Sequence, residues 1–167
     1  MRRQTVFVLA GPAGCGKSTF AHKIMRPQLD IMISRDTLRF SFLKEGDDYF
    51  AYENQVRVAF GNLIEKWTSR DDYQGVFIDA THLTPKARRQ VLYRIKNNPY
   101  LIAISIEVPL EIALERNAQR TGRAKVPESA IRNMYNCYQK PTLKEGFDEI
   151  WHVDAEGAIT KEVRNYE

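Results

Sequence analysis

Residues 11–19 read Gly11-Pro-Ala-Gly-Cys-Gly-Lys-Ser-Thr19 and follow directly on the apolar run Thr5-Val-Phe-Val-Leu-Ala10. The stretch fits G-x-x-x-x-G-K-[ST] at Gly11, Gly16, Lys17 and Ser18, and it sits between a strand pattern and a helix pattern, the setting this motif requires. Glycines let the backbone curl inward so that successive N–H groups point at one anion. The helix that follows adds its unpaired N–H groups and the positive end of its dipole. Gly11, Pro12, Ala13, Gly14, Cys15, Gly16, Lys17, Ser18 and Thr19 are therefore expected to hold the phosphates of a nucleoside triphosphate. Lys17 would reach the β- and γ-phosphates, and the Ser18 hydroxyl would take a Mg²⁺ position. A glycine-rich turn with a capped helix is the plainer alternative.

Working outward, strand-length apolar runs recur at Val6–Ala10, Leu29–Ser34, Gly75–Ile78, Leu101–Val108 and Ile150–Val153. Helical patterns separate them at Lys17–Met25, Asp48–Ser69, Pro85–Lys96, Pro109–Arg120 and Pro127–Gln139. Strands alternating with helices predict an α/β fold: a mostly parallel sheet of about five strands, with right-handed crossovers covering both faces. From about Ala155 the pattern supports at most a short extra element. With no repeat, low-complexity run or linker, residues 1–167 read as one domain, within the size range of a single core.

Composition sets bounds. Of 167 residues, 43 % are hydrophobic, enough for a folded chain, and the net charge of +4 permits a polyanionic partner without demanding one. No stretch approaches the roughly 18 apolar residues of a membrane span, and the apolar run behind Met1 is short for a secretory signal. The expectation is a cytoplasmic protein with no membrane contact and no evident protein partner. Cys15 and Cys137 are the only cysteines, and with His22, His82 and His152 they show no zinc spacing.

In open α/β sheets ligands bind at the carboxyl ends of strands, which directs attention to Ser34-Arg35-Asp36 and Asp79-Ala80-Thr81. Asp79 ends an apolar strand in the manner of a metal-associated aspartate, but Ala80 stands where many ATPases carry a water-activating Glu. Asp36 is the candidate general base for an attacking hydroxyl; capping a helix that starts at Thr37 is the alternative. Arg39, one turn on, could clamp an acceptor. Arg116 and Arg120 share a helix face and lead into Thr121-Gly-Arg-Ala-Lys125, a basic, glycine-hinged segment. This segment, about 116–127, reads as a helical lid that brings an arginine over the transferring phosphoryl group. Cations also favour helix C-termini on dipole grounds alone.

The ordered set resembles the P-loop polynucleotide 5′-kinases, which include the kinase domains of phage and bacterial end-healing enzymes within a superfamily that also holds zeta-toxin-like kinases. The resemblance rests on the glycine loop, Asp36-x-x-Arg39, Asp79-Ala-Thr-His82 and Glu115-Arg-Asn-Ala-Gln-Arg120, supported by Arg132-Asn-Met-Tyr135 and Glu145-Gly-Phe-Asp-Glu-Ile-Trp151. It covers roughly residues 5 to 153. It implies a P-loop kinase fold and transfer of the ATP γ-phosphate, with Mg²⁺, to a 5′-hydroxyl of RNA or DNA. Lys17, Asp36, Arg120 and Arg116 would be catalytic, and Arg39, Asp79 and Thr81 would lie on the acceptor side. Extra cations in the lid, Arg123 and Lys125, leave open which one reaches the phosphate.

Independent support for a nucleic-acid acceptor is thinner. Lys86, Arg88, Arg89, Arg94 and Lys96 could track a phosphate backbone or simply solvate an amphipathic helix. Tyr49, Phe50, Tyr52 and Phe60 could stack on bases or fill the core, and Glu45, Asp47 and Asp48 would repel a strand. A sugar, sugar nucleotide or nucleoside remains an alternative acceptor, and a nucleotide-dependent switch a further one. Nothing in the sequence reads the donor base.

Overall fold

Alternation along the strands splits the interior into two layers. In the computed structural model, which describes residues 3–167, the first strand β1 (Thr5–Ala10) sends Val6 and Val8 to one side and Leu9 to the other, all fully buried. The same division runs through β3 (Gly75–Asp79), where Val76 and Ile78 face one core and Phe77 the other. A strand buried on both faces has no polar side, which is why these runs look continuously apolar in sequence.

Six strands form one sheet in the order β2-β3-β1-β4-β5-β6. The others are β2 (Asp30–Ser34), β4 (Tyr100–Ile106), β5 (Glu149–Val153) and β6 (Ile159–Val163). The first five run parallel, and only β6 pairs antiparallel, Glu149 opposite Val163. Five parallel strands match the expectation. The sixth comes from the stretch after Ala155; its own five residues are all exposed, so no buried side marks it as a strand.

Helices α3 (Glu53–Thr68) and α4 (Pro85–Leu92) cover one face through Phe60, Ile64 and Val91. Helices α1 (Lys17–Ile24), α5 (Leu110–Ala118) and α6 (Glu128–Cys137) cover the other through Ala21, Ala113 and Ile131. A further helix, α2 (Arg35–Phe42), leaves the end of β2. Its cap is Ser34, whose hydroxyl accepts from the Thr37 N–H at 3.2 Å. Asp36 therefore stands inside the first turn and is not the cap, which leaves its carboxylate for other work. Among the described residues no helix is long and apolar enough to cross a membrane.

The order matters for the site. Ser34 at the tip of β2 lies in register with Asp79 at the tip of β3, and β3 lies beside β1, which feeds the glycine loop. Three neighbouring strands thus deliver three loops to one edge.

Candidate active site

At that edge lies a cavity of about 1270 Å³, whose wall includes Gly16, Lys17, Ser18, Asp36, Asp79 and Arg120. A pocket for one small ligand runs to roughly 300–1,000 Å³, so this one has room for two. Its charged lining is unbalanced, with eight lysines and arginines against three acids, in a chain whose overall charge is only +4.

The loop is built for an anion. Gly16 adopts φ 95° and begins α1 without any side-chain cap, so the first N–H groups of that helix point at the cavity unpartnered by a side chain. A Cβ at Gly16 would stand 3.0 Å from Arg116 Nη1, so both the left-handed backbone and the close approach call for glycine here. Lys17 Nζ donates to the Pro12 carbonyl at 2.9 Å, folded back over its own loop. Ser18 Oγ donates to Asp79 Oδ2 at 2.6 Å, and the Gly11 N–H donates to the Thr81 carbonyl at 2.9 Å. Ala13, Gly14, Thr19 and Thr81 also line the cavity. Gly11, Pro12 and Cys15 are buried and shape the loop from behind.

Asp36 faces the same space with its side chain 66 % exposed. One oxygen, Oδ1, accepts from Arg39 Nη1 at 2.7 Å and from the Tyr49 hydroxyl at 3.0 Å, while Oδ2 has no donor among the described residues. Arg39 differs from the sequence reading. Its side chain is only 8 % exposed, and its fork is spent internally, Nη1 on Asp36 and Tyr49 and Nη2 on Glu53 at 2.8 Å. Arg35 Nη2 meets the other Glu53 oxygen at 2.5 Å. Burial alone would raise the Glu53 pKa, but hydrogen bonds from Arg39 and Arg35 outweigh it and hold the carboxyl below the usual carboxylate range. Burial and the Asp36 charge push the Tyr49 hydroxyl up, so it stays a neutral donor. Arg39 thus braces Asp36 and does not reach out to a ligand. Asp79 likewise sits with the phosphate-loop serine and not with Arg39.

The segment expected to act as a lid, about 116–127, runs from the end of α5 through a 3-10 turn, and its arginines are divided. Arg116 does not line the cavity; its Nη1 donates to the Cys15 carbonyl at 2.9 Å and supports the loop from outside. Arg120, Arg123 and Lys125 do line it, around a 3-10 turn at Gly122–Ala124. Arg123 Nη2 reaches across to the Lys44 carbonyl at 2.7 Å, joining this segment to the end of α2. Buried Asn117 fixes its base: Nδ2 donates to the Val126 carbonyl at 2.6 Å, and Oδ1 accepts the Val126 N–H at 2.9 Å.

Sequence reasoning missed Tyr49, Glu53, Arg35 and Asn117 as working parts of this site. His82 was read only as part of a motif. Its ring is buried, its Nδ1–H donates to the Leu9 carbonyl at 2.5 Å, and Nε2 has no partner among the described residues. Burial, followed by the nearby charges of Lys17, Arg35 and Arg88, lowers its pKa to about 4, so the ring is neutral at pH 7. Arg88, expected on a basic surface, is wholly buried; Nη1 donates to the His82 carbonyl at 2.7 Å, and Nε and Nη2 fork onto Glu145.

The fold agrees with what the chain is similar to. The AAA domain family matches residues 6–141, and the chain belongs to that family. It is similar in structure to a chain of the Pnkp1/Rnl/Hen1 RNA repair complex, at 21 % identity and TM-score 0.68, over 81 % of this chain and 44 % of that one. A fungal RNA kinase matches at 19 % identity and TM-score 0.62, over 90 % of this chain and 38 % of that one. A gluconokinase from Sinorhizobium meliloti 1021 matches at 19 % identity and TM-score 0.61, over 92 % and 84 %. The chain spans less than half the length of the two RNA-related structures. At these identities the likeness is one of fold: a P-loop kinase-like α/β fold, which implies nucleotide binding. No curated protein matches the chain.

Proposed function

We propose that the protein transfers the γ-phosphate of ATP to the 5′-hydroxyl end of RNA or DNA. The observation that carries this reading is that the unencumbered Oδ2 of Asp36 belongs to the same cationic cavity as Lys17, Ser18 and Arg120. Two structural relatives, a chain of an RNA repair complex and an RNA kinase, point the same way.

In this mechanism the N–H groups at the start of α1 and the Lys17 ammonium hold the β- and γ-phosphates. Lys17 would leave the Pro12 carbonyl for the ligand. Asp36 Oδ2 accepts the proton of the acceptor hydroxyl as its oxygen bonds to the γ-phosphorus. The bond from that phosphorus to the β,γ-bridging oxygen breaks, and ADP leaves with the electron pair. Arg39 and Tyr49 act by orienting Asp36. Arg120 lies nearest in role to the cation that neutralises the transferring oxygens, with Arg123 and Lys125 beside it. Ser18 Oγ and Asp79 Oδ2 form a hard-oxygen pair at the phosphate end, and these would hold Mg²⁺ together with the substrate phosphates. Bound there, the ion would neutralise phosphate charge. Among the described residues no group of three or more His, Cys, Asp or Glu could hold a metal unaided, which suits an ion that arrives with its nucleotide.

Incubation with γ-labelled ATP and a panel of 5′-hydroxyl oligonucleotides, nucleosides, sugars and gluconate tests the proposal. Label at oligonucleotide 5′ ends is the expected result. Label on sugars alone overturns the acceptor assignment in favour of small-molecule kinases, a reading that the fold shared with a gluconokinase keeps in view. Phosphate release indifferent to every acceptor would instead indicate a nucleotide-dependent switch.

A further inference from the structure

The cavity does not end at Asp36. Its wall continues from the corner before α3 along that helix to the turn after α4, through Phe50, Arg57, Val58, Gly61, Asn62 and Arg94. Nothing in the transfer chemistry needs this arm, yet it combines two features that water does not favour leaving together. Phe50 and Val58 are 64 % and 51 % exposed, open apolar surface inside a cationic cleft. The edge of the aromatic pair Tyr49–Phe50 is closed at 4.8 Å between centroids, and the Arg39 guanidinium lies 5.7 Å from the Phe50 ring. Phe50 is thereby fixed at its base while most of its surface stays free.

The cations of the arm are placed as well. Arg57 is exposed and forms no ion pair among the described residues. Arg94 lies across α3 at Gly61, where a Cβ would stand 3.0 Å from its Cζ and 3.1 Å from Nε and Nη2. A glycine in mid-helix is unfavourable by about 1 kcal/mol relative to alanine, and here its missing side chain is the seat of the guanidinium. Asn62 Oδ1 accepts from Nη2 at 3.1 Å and anchors the guanidinium; a Glu65 oxygen lies 3.1 Å from Nε as an ion pair, but neither Nε nor Nη1 has a hydrogen-bond partner among the described residues. Of the acids that might repel a strand, Glu45 lies outside the cavity lining and two are turned to local use. Asp47 accepts the Lys44 N–H and Asp48 the Phe50 N–H, and neither lines the cavity.

We infer that this arm is a track for single-stranded nucleic acid, with a base stacked on Phe50 and backbone phosphates at Arg57 and Arg94. The inference rests on the acceptor being a nucleic-acid end and adds that the enzyme grips nucleotides beyond the first. Stacking platforms interleaved with cations are how single strands are bound without sequence preference. A sugar or a lone nucleoside would leave the arm empty.

The test is equilibrium binding by fluorescence anisotropy, using the full chain with a non-hydrolysable ATP analogue and labelled 5′-hydroxyl single strands of increasing length. Unlabelled nucleoside 3′-monophosphate serves as the short competitor. Affinity should rise over the first few nucleotides. Phe50→Ala should weaken oligonucleotide binding by about five- to a hundredfold. Arg57→Ala and Arg94→Ala should each lower the slope of log K against log salt by about 0.7. None of the three should alter competition by the 3′-monophosphate, and Lys161→Ala, on β6, should behave as wild type. Retained thermal midpoints show that the variants fold. Affinity independent of length, or oligonucleotide binding unchanged in all three variants, overturns the track. The two readings fail separately. Transfer to sugars alone removes the acceptor assignment, whereas length dependence lost at Phe50 establishes the track by binding, whatever accepts the phosphate.

Discussion

Asp36 is defined by what holds it. Arg39 and Tyr49 occupy one carboxylate oxygen, and the other has no donor among the described residues, which is what the proposed base needs. Asp36→Asn keeps the shape and removes the base, so transfer should fall by about a hundredfold or more while ATP affinity, read by calorimetry, stays within a factor of a few. Unchanged turnover would reduce Asp36 to a helix-start residue. Arg39→Ala should act through the same carboxylate, lowering kcat more than it raises the acceptor KM, because its guanidinium is already committed inside the protein. A rise in KM alone would show that it reaches the acceptor after all. The sequence showed Asp36 and Arg39 as a pair one helical turn apart, since that spacing is local. It did not show Tyr49 or Glu53, because contacts across 13 and 14 residues leave no periodic trace. His82 carries a second residue-level consequence. Its folded pKa of about 4 lies below the ordinary 6.5, so between those values the unfolded chain binds a proton that the folded chain refuses. Stability therefore falls as pH drops through this window, by about 2 kcal/mol at pH 5 from His82 alone. His152 has the opposite sign. Burial would lower its pKa, but hydrogen bonds to Glu162 and Glu107 raise it, so its contribution is present at low pH and fades above its folded value. Urea unfolding at pH 7.5 and 5.0 should show a smaller loss on acidification for His82→Gln than for wild type. Equal losses would mean that the folded protein accepts the proton.

Among the elements, the join between α5 and α6 is the one whose strength bears on activity. The arginines at 120 and 123 lie on an exposed segment with no buried residue in its 3-10 turn, so packing does not hold it. What closes it is Asn117, which satisfies both the N–H and the carbonyl of Val126. Removing that amide leaves two backbone groups unpaired in a half-buried place, a cost of about 1–3 kcal/mol borne largely by this segment. In Asn117→Ala, trypsin should therefore cut faster at Arg120, Arg123 or Lys125 while cleavage elsewhere keeps its rate, and kcat/KM should fall. An unchanged cleavage pattern would assign the closure to the Arg123 bridge onto Lys44. Most elements were legible because each has a local cause. Thr84 caps a helix with Pro85 in its first turn, and apolar runs of strand length are separated by helical spacing. The helix expected over Asp48–Ser69 instead starts at Glu53, since the preceding residues form turns in which Asp48 bonds the Phe50 N–H. Helices expected to start on Pro109 and Pro127 begin one residue later, with each proline in the cap position. Strand β6 was not legible, because an exposed edge strand has no buried side to mark it.

At the scale of the whole molecule, the sheet order decides why residues so far apart in sequence act together. β1 lies between β3 and β4, and its loop opens where the chain's connections part to either side. Lys17, Asp36 and Asp79 come from the ends of β1, β2 and β3, and this convergence could be anticipated from the strand-end rule before any coordinates. The width of the cavity could not, since it depends on how far α3 and the lid segment stand off the sheet. A ligand held by this edge binds the folded chain and not the unfolded one, so it must stabilise the fold as a whole. At a hundred times its Kd, ATP-Mg should add about 2.7 kcal/mol, which for a chain of this size raises Tm by roughly 5–10 °C. The loop lysine sits at the edge of the core, bonded among the described residues only to its own loop, so Lys17→Ala should leave the ligand-free Tm within a degree or two while losing most of the ligand-induced shift. Ser18→Ala should keep part of the nucleotide effect yet lose its dependence on Mg²⁺, because the hydroxyl beside Asp79 is the group that would contact the ion. A full shift in Lys17→Ala would place the triphosphate away from the glycine loop, and the chemistry derived for Asp36 would lose its donor.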